Sequence, residues 1–464
     1  MFVGRENELT ALNQAYEQNK FQFAVVYGRR RVGKTTLINR FVQDKEVIYF
    51  SAVEENEKDN LQRFSQAILS FDSPNLSSLS FPTYDEAFQY IYEKAKTKRI
   101  VLVIDEYPYL AQSYPAISSI LQSHIDHDYL NTNLFMILCG SSMSFMENQV
   151  LGYKSPLYGR RTLQLKISPF NFDETRQYFP KMDKEAAFII YSITGGVPQY
   201  LSYMSETASV KENIMKTFLT PTGPLFEEPN NLLMQELRDP GNYNSVIQAI
   251  ALGSSKLNEI STKTGSTTGS TNFYIKNLLD LGILSKTVPV TDFQKQRNKK
   301  TLYAISDGMF RFWYAFIPKN MSAIQRGQKE LVYQNIEKGL SGFLGKSFEE
   351  LSREYLWQHI SDEAIVPTPF SQLGTWWGTD NQKKAEIEID IMGFDYEGRI
   401  GFFGECKWRN DLLDHSVLDT LVYRANLFSY QSKILYLFSK SGFSAETIDK
   451  AKELDVHLVD FNDM

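Results

Sequence analysis

The sequence has few of the residues on which small secreted domains and zinc sites depend. Its 464 residues include two cysteines and five histidines, which excludes a disulfide framework and a cysteine-based zinc site. His124 and His127 have no companion ligands at metal spacing and are expected at the surface. No apolar run approaches the roughly 20 residues that span a bilayer, and the chain begins with charged residues. We therefore expect a cytoplasmic protein without a signal peptide or membrane segment.

The chain also lacks the positive charge excess that is typical of nucleic-acid-binding proteins, since its formal net charge is −6. The charge is unevenly distributed, because residues 240–315 hold nine Lys or Arg against four Asp or Glu. A basic segment in an acidic protein is a candidate phosphate-contacting surface. The length indicates about three globular domains.

The clearest motif follows a short apolar run, residues 23–27. Residues 28–35 match G-x-x-x-x-G-K-[ST], and apolar residues at helical spacing come next. The pattern predicts a strand, a phosphate-binding loop and a helix whose N-terminus faces phosphate oxygens. Lys34 is expected to reach the β- and γ-phosphates of ATP, and Thr35 to ligate Mg²⁺. The expected nucleotide-binding residues of this segment are Gly28, Arg29, Arg30, Arg31, Val32, Gly33, Lys34, Thr35 and Thr36.

A second apolar run, residues 100–104, ends in Asp105 and Glu106. Continuous aliphatic runs are typical of parallel strands covered on both faces, and ligands gather at the carboxyl ends of such strands. Asp105 is then placed to hold Mg²⁺ through water, and Glu106 to orient or deprotonate the attacking water. The alternative is that the pair begins a surface loop.

Two further polar positions are candidates for contact with the γ-phosphate. Ser141 follows the apolar run 134–139 and either senses this phosphate or caps a helix, because serine is a preferred N-cap. Arg160 either neutralises charge on the transferred phosphoryl group or lies in a solvated patch. An arginine contributed by a neighbouring chain would require a homo-oligomer.

Several short segments share one resemblance. They are F-V-G-R-E at 2–6, the loop around Lys34, the pair Asp105-Glu106, C-G-S-S at 139–142, L-Y-G-R-R at 157–161 and T-G-G-V-P at 194–198. Together they resemble the archaeal-type ATPase family, in the STAND-like branch of the AAA+-related P-loop NTPases. The resemblance covers about residues 1–235 and implies an ATP-hydrolysing core with a helical lid. It also implies that Arg5 lies near the base and Pro198 near the adenine or sugar.

Residues 240–315 show a pattern of three helices followed by a hairpin with basic residues at its tip, 295–300. This order resembles a winged helix-turn-helix. Its third helix would enter the major groove of double-stranded DNA, and the basic wing would contact phosphates. The candidate contacts are Ser270, Thr271, Asn272 and Lys276. The alternative is a winged helix used for protein contacts.

From about residue 331 the pattern becomes α-β-β-β-α-β, with strands predicted at 364–366, 386–394, 400–408, 433–438 and 456–459. Within it, Glu349 is followed by Asp390 and by Glu405-x-Lys407. Strand alternation places Glu405 and Lys407 on one face. The simplest alternative is an exposed charge pair on an edge strand.

This order of residues and elements resembles the PD-(D/E)xK nuclease superfamily, and within it the Mrr-like branch. It also looks like the C-terminal domain of unknown function that accompanies archaeal-type ATPases. The resemblance implies that Asp390 and Glu405 bind Mg²⁺, that Lys407 positions water or stabilises charge, and that Glu349 supports the metal through water. Ile389 stands where the superfamily pattern has proline, and Glu350 competes with Glu349 for the helix position.

The sequence therefore predicts a multidomain α/β protein. Its segments are a P-loop ATPase core with a parallel sheet at 1–170, a helical lid at 171–238, a winged helix-turn-helix at 239–318 and a restriction-endonuclease-like domain at 326–464. The expected function is ATP hydrolysis coupled to DNA binding, with Mg²⁺-dependent endonuclease activity. The alternative is a nucleotide-driven switch or scaffold whose last domain binds nucleic acid or protein without cutting.

Overall fold

The computed structural model of the chain describes residues 2–72, 79–293 and 300–464. Its first part alternates helices with short strands. These are α1 (Glu6–Glu17), β1 (Gln22–Tyr27), α2 (Lys34–Val42), β2 (Val47–Ser51), α3 (Glu57–Asp72), α4 (Tyr84–Ala95), β3 (Ile100–Asp105), α5 (Tyr107–Ser113), α6 (Ile117–His127), β4 (Leu134–Gly140), α7 (Met143–Phe145), β5 (Leu163–Lys166) and α8 (Phe172–Tyr178).

Helices dominate the middle of the chain. They are α9 (Lys184–Thr194), α10 (Pro198–Leu201), α11 (Val210–Thr217), α12 (Glu228–Glu236), α13 (Pro240–Ala251), α14 (Leu257–Thr264) and α15 (Thr268–Asp280), then β6 (Leu284–Thr287), β7 (Leu302–Ile305), α16 (Gly308–Phe316) and α17 (Met321–Gln325). The last part comprises α18 (Lys329–Gln358), β8 (Phe370–Asp380), β9 (Ala385–Asp395), β10 (Ile400–Lys407), α19 (His415–Asn426), β11 (Ser432–Ser439), α20 (Ala445–Glu453) and β12 (Val456–Asp460).

The chain divides into two compact units. The first consists of Met1–Tyr178, Gly196–Ser202 and Asp280–Gly282, and the second of Phe179–Gly195, Tyr203–Leu279 and Ile283–Met464. Most of the segment predicted as a lid therefore belongs to the same unit as the C-terminal sheet. Within the described residues, no helix is both long and apolar enough to cross a membrane.

A parallel five-stranded sheet forms the centre of the first unit, in the order β2-β3-β4-β1-β5. Strands β1, β3 and β4 are buried at every position and are mostly apolar, because helices cover both faces of the sheet. Alternate residues of β1 enter different cores: Phe23 and Val25 pack on one side, and Ala24 and Val26 on the other. All these parallel strands end at one edge, where the candidate polar residues follow.

The prediction that His124 lies at the surface is wrong. Its residue is 5% exposed, and its ring nitrogens lie 2.7 Å from Asp128 and 3.0 Å from Asp85. The ring also stacks on Tyr129. Two carboxylate partners for the ring nitrogens make this burial tolerable.

The second unit contains a mixed sheet in the order β12-β11-β10-β9-β8. Strands β8, β9 and β10 are antiparallel neighbours, whereas β10, β11 and β12 run parallel. The strand predicted at 364–366 is wrong, because these residues form a turn and its end, and β8 begins later at Phe370. Register shifts between Phe370 and Gln372 and between Gly374 and Trp376 interrupt the alternation in β8 that a sequence pattern would need.

Helices α13, α14 and α15 precede an antiparallel pair, β6 and β7, as the pattern predicts. Ser270, Asn272 and Lys276 are exposed on α15. Thr271 is buried and its hydroxyl donates to the carbonyl of Thr267, so it is no surface contact. The predicted basic hairpin tip lies outside the described residues, apart from Lys300.

Candidate functional site

The loop between β1 and α2 is bounded by two glycines that its backbone requires. A Cβ atom at Gly28 would lie 2.2 Å from the carbonyl oxygen of Ile167. Gly33 has a φ of 88°, a left-handed conformation that favours glycine. Lys34 follows as the first residue of α2, so the loop leads directly to a helix N-terminus, where unpaired N–H groups favour anions.

Lys34 is folded back over this loop. Its Nζ donates to the carbonyl oxygens of Gly28 and Arg29, each at 2.9 Å, and the residue is 6% exposed. Burial lowers the pKa of Lys34, and the nearby carboxylates of Glu106 and Asp105 offset only part of this shift. A cation with little hydration at such a loop is suited to contact phosphate oxygens.

Asp105 joins the polar groups that are expected around Mg²⁺. Its Oδ2 accepts hydrogen bonds from Thr35 Oγ1 at 3.1 Å and from the Tyr49 hydroxyl at 2.9 Å. Its Oδ1 accepts the backbone N–H of Glu106 at 2.9 Å. Hydroxyl and carboxylate oxygens are the ligands that Mg²⁺ prefers, so the residues present fit this ion.

Sequence reasoning misses Tyr49. It lies on β2, whose Ser51 pairs with Asp105 in register, so Tyr49 is two residues before the sheet edge and on the same face as that position. Burial, reinforced by the charge of Asp105, raises the pKa of Tyr49. The phenol therefore stays protonated and donates to Asp105. A tyrosine near the end of the strand beside an acidic strand is the pattern that could have indicated it.

Glu106 is held by Ser141. Its Oε2 accepts hydrogen bonds from the Ser141 hydroxyl at 2.9 Å and from the Ser141 backbone N–H at 3.3 Å. The contact follows from the strand order, which places β4 next to β3. Helix α7 has Ser142 at its N-cap, without a capping side-chain bond. The Ser141 hydroxyl thus contacts the acidic pair rather than a helix end.

Arg5 and Pro198 both lie against the loop. The Arg5 guanidinium donates to the carbonyl of Val32 at 3.2 Å and to the carbonyl of Ser168, and it lies 4.9 Å from the Phe170 ring centre. Arg5 is 6% exposed. The ring of Pro198 lies 3.9 Å from the position that a Cβ at Gly33 would occupy. Arg5 and Pro198 belong to the same compact unit as the loop, and their contacts hold it in place.

The arginines of the site have distinct partners. Arg30 donates to the Tyr109 hydroxyl at 2.7 Å, and Arg31 to the Tyr200 hydroxyl at 3.2 Å. Arg160 forms a two-pronged ion pair with Asp126 on α6, at 2.7 and 2.6 Å. Arg160 is therefore engaged by a carboxylate of its own chain, a partner that the sequence did not indicate.

The second group of predicted residues meets in the C-terminal sheet. Lys407 Nζ lies 2.6 Å from Glu405 Oε1 and 3.6 Å from Asp390 Oδ2. Asp390 Oδ2 also accepts the backbone N–H of Cys406 at 2.9 Å. Strand β10 is central in its sheet and Glu405 is 4% exposed. The alternative of an exposed pair on an edge strand is therefore wrong.

Arg424 is a member of this group that the sequence pattern does not reveal. It lies on α19 and donates through Nη1 to Glu405 Oε2 at 2.7 Å, so both oxygens of Glu405 contact cations. Burial acts to lower the pKa of Lys407, but Asp390 and Glu405 outweigh it and raise this pKa. Lys407 is therefore a firmly protonated ammonium group.

Glu349 on α18 accepts a hydrogen bond from Lys346 at 3.1 Å. Burial raises the pKa of Glu349, and the charge of Asp390 acts in the same direction. Its competitor Glu350 is exposed, so Glu349 is the helix carboxylate that interacts with Asp390. In residues 2–72, 79–293 and 300–464, no group of three or more His, Cys, Asp or Glu is arranged as a metal site. The carboxylates of Asp390 and Glu405 converge instead on the Lys407 ammonium group.

The parallel sheet, the glycine-bounded loop and the acidic pair together define a P-loop ATPase domain. Residues 2–204 match an ATPase domain that is predominantly from Archaea. Residues 313–419 match a family described as Archaea bacterial proteins of unknown function. The Walker-type ATPase PABY2304 of Pyrococcus abyssi has a similar fold, with a TM-score of 0.51, 18% identity and coverage of 68% of this chain and 96% of that one.

Uncharacterized protein MJECL04 of Methanocaldococcus jannaschii is 32% identical over 417 residues, which are 90% of this chain and 89% of that protein. Uncharacterized ATP-binding protein MJ0423 of the same organism is 47% identical over 47 residues, 10% of this chain and 80% of that protein. The present chain belongs to the same family as MJECL04. The match of residues 2–204 confirms that this part of the chain is the predicted archaeal-type P-loop ATPase domain.

Proposed function

We propose that this protein couples Mg²⁺-dependent ATP hydrolysis to the binding of double-stranded DNA, and that its C-terminal site is a Mg²⁺-dependent endonuclease. The contact between Thr35, Asp105 and the P-loop carries the ATPase part of the proposal. Lys34 would bind the β- and γ-phosphates of ATP, Thr35 would ligate the metal, and Asp105 would hold it through water. Mg²⁺, when bound, neutralises charge on the phosphate oxygens.

Glu106 orients the attacking water and takes up its proton. The carboxylate is suited to this role because Ser141 fixes one of its oxygens, while the backbone N–H of Glu106 is fixed by Asp105. Arg5 and Pro198 keep the loop in place beside the base and sugar. Arg160 acts on phosphate only if its ion pair with Asp126 opens, and a neighbouring chain in a homo-oligomer is the alternative source of this charge.

DNA binding is assigned to α15 and the basic segment around it. Ser270, Asn272 and Lys276 are exposed on this helix, and their side chains suit hydrogen bonds to base edges and phosphates. The arrangement of three helices before an antiparallel pair supports a winged helix-turn-helix. The local excess of Lys and Arg supports a phosphate-contacting surface.

The endonuclease assignment rests on Asp390, Glu405 and Lys407. The Lys407 nitrogen lies 2.6 Å from Glu405 and 3.6 Å from Asp390, and this shared cation supports the proposal that both carboxylates face one positive centre. Carboxylate oxygens suit Mg²⁺, which would supply Lewis-acid activation of the scissile phosphate. Glu349 interacts with Asp390 electrostatically and would support the metal through water, and Lys407 would stabilise charge or position the water.

Plasmid cleavage with Mg²⁺, with and without ATP, tests this proposal. The chain and a Lys452→Ala control, changed at an exposed lysine of α20, should cut at equal rates. Lys407→Ala should cut at least about 100-fold more slowly, while thermal melting shows that it is folded. A Lys407→Ala chain that cuts as fast as the control would refute the assignment. Dependence of the rate on ATP would show coupling.

A nucleotide-driven switch or scaffold is the second candidate, favoured by the pairing of both Glu405 oxygens with Lys407 and Arg424. The absence of cleavage, with ATP hydrolysis intact, would favour the switch or scaffold over the endonuclease.

Duplex-DNA binding, measured by fluorescence anisotropy, distinguishes a scaffold that binds nucleic acid from one that binds protein. Affinity that falls steeply between about 50 and 200 mM salt indicates phosphate contacts, and Lys276→Gln should reduce the slope by about 1. A DNA affinity that hardly changes with salt would indicate a protein partner instead.

A further inference from the structure

A cavity of about 470 Å³ lies within the second compact unit. The end of α13 and the strands β6 and β7 form one side, and α16, α18, β8 and β9 complete its walls. This volume is in the usual range of small-molecule sites, about 300–1,000 Å³. The ATP site is built from other residues, whereas Arg353 and Lys346 of this cavity hydrogen-bond to Asp390 and Glu349 of the proposed endonuclease site. An inference that makes the ligand a nucleic-acid end therefore rests on the function proposed above.

Arg311 provides an incompletely paired cation in the wall. Its Nη2 donates to the hydroxyl of Ser347, and its guanidinium carbon lies 4.8 Å from the Phe343 ring centre. Its Nε is buried and has no hydrogen-bond partner in the described part of the chain. Burial lowers the pKa of Arg311, although the charge of Glu350 acts in the opposite direction. An anionic ligand would add a partner for this buried guanidinium group.

Arg353 is a second guanidinium in the same wall. Its Nη1 donates to the backbone carbonyl of Asp390 at 2.8 Å and to the Thr375 hydroxyl at 3.3 Å. These acceptors are neutral, and none of the described carboxylates forms an ion pair with Arg353. Its other N–H groups can serve a planar or tetrahedral oxyanion, which guanidinium groups bind with two hydrogen bonds.

The remaining lining is too varied for a simple anion site. Trp377 and Tyr303 contribute aromatic surface, and the carboxylates of Glu350 and Glu388 also line the cavity. Inorganic phosphate would engage the arginines and leave these groups unused. A ligand with a flat ring and N–H or hydroxyl donors would use all of them, since such a ring packs on aromatic side chains and its donors bond to carboxylates.

We propose that this cavity binds a nucleoside monophosphate, with the phosphate on Arg311 and Arg353, the base against Trp377, and sugar or base donors on Glu350 and Glu388. The ligand is either a free nucleotide or the 5′-phosphorylated end of a nucleic-acid strand, because both present the same chemistry. The ligand would adjoin Asp390, whose backbone carbonyl accepts from Arg353.

Isothermal titration of the full chain with AMP tests this site, in a Lys34→Ala background that weakens binding at the P-loop. We expect one AMP per chain, weakened at least tenfold by Arg353→Gln and by Trp377→Leu. Arg399→Gln is the matched control, because Arg399 is exposed and pairs with Glu397. Melting curves identify any variant that fails to fold. If Trp377→Leu does not fold, the result with Arg353→Gln decides the test.

Three outcomes would overturn the proposal. They are no AMP binding in the Lys34→Ala chain, binding that folded Arg353→Gln leaves unchanged, and inorganic phosphate that competes as well as AMP. Ribose 5-phosphate should compete more weakly than AMP because it lacks the base. A 5′-phosphorylated dinucleotide that competes better than AMP would support the strand-end source, and weaker competition would support the free nucleotide.

Discussion

Replacing Ser141 by alanine should slow ATP hydrolysis only because Glu106 loses a hydrogen bond that holds it in place. The variant loses the hydroxyl that donates to Glu106 Oε2 at 2.9 Å, but keeps the backbone N–H at 3.3 Å. A hydrogen bond to a charged group contributes about 1.5–3 kcal/mol, and about 1.4 kcal/mol corresponds to tenfold in rate. Because one donor remains, the lower end applies and we expect a rate reduced about tenfold.

Glu106→Gln should lower the rate by about 10²–10⁴-fold, the usual contribution of a positioned general base. If Ser141 acts only by holding Glu106, the double variant should be no slower than Glu106→Gln alone. Phosphate release at saturating ATP measures the rate, and binding of a labelled ATP analogue should stay unchanged in all three chains. Ser144→Ala, at an exposed serine of α7, is the control.

Multiplicative losses in the double variant would refute this reasoning. They would show that Ser141 contacts the nucleotide directly, which is the γ-phosphate sensing that its place after an apolar run also suggests. A loss of nucleotide binding in Ser141→Ala would lead to the same conclusion, because a residue that only orients Glu106 has no reason to change affinity for ATP.

Lys34→Ala should abolish ATP turnover, since it removes a phosphate-binding cation; a folded variant with an unaltered rate would disprove the assignment of the ATP site. Glu349→Gln should alter the pH dependence of stability. The folded chain holds the Glu349 proton more tightly than the ordinary pKa of 4.5 implies, so this group costs stability as pH rises through the folded pKa. Above pH 4.5 the free energy of unfolding of Glu349→Gln, measured with denaturant, should therefore increase relative to that of the unmodified chain. A difference between the two chains that does not depend on pH would contradict this.

The ATP site could be predicted in large part because its motifs are local. Lys34 and Thr35 stand in one loop, and the aliphatic run before Asp105 marks a covered parallel strand. Contacts between residues that are distant in the sequence could not be predicted from such local motifs. Tyr49 reaches Asp105 only because β2 pairs with β3, and Asp126 reaches Arg160 from α6 by tertiary packing. Strand order, which pattern alone does not determine, decides such contacts.

In the C-terminal domain, too, the sequence predicts local features but not the contacts that depend on tertiary packing. Glu405 and Lys407 are predicted on one face by strand alternation, and they do contact each other. The choice between Glu349 and Glu350 depends on the rotation of α18 about its axis, which neighbouring positions in a sequence leave open. Strand β8 escapes prediction because two register shifts break its alternation.

Aromatic packing explains how the polar residues of this domain are held. The Trp408 ring lies 5.2 Å from Phe348 and 4.5 Å from Phe188 on α9. Trp408 follows Lys407 and Phe348 precedes Glu349, so the packing of these two rings fixes the backbone at both polar residues. A fragment of residues 326–464 would leave Trp408 without the Phe188 ring. The order of the C-terminal site is thus a property of the second unit as a whole, and its chemistry should be measured on the full chain.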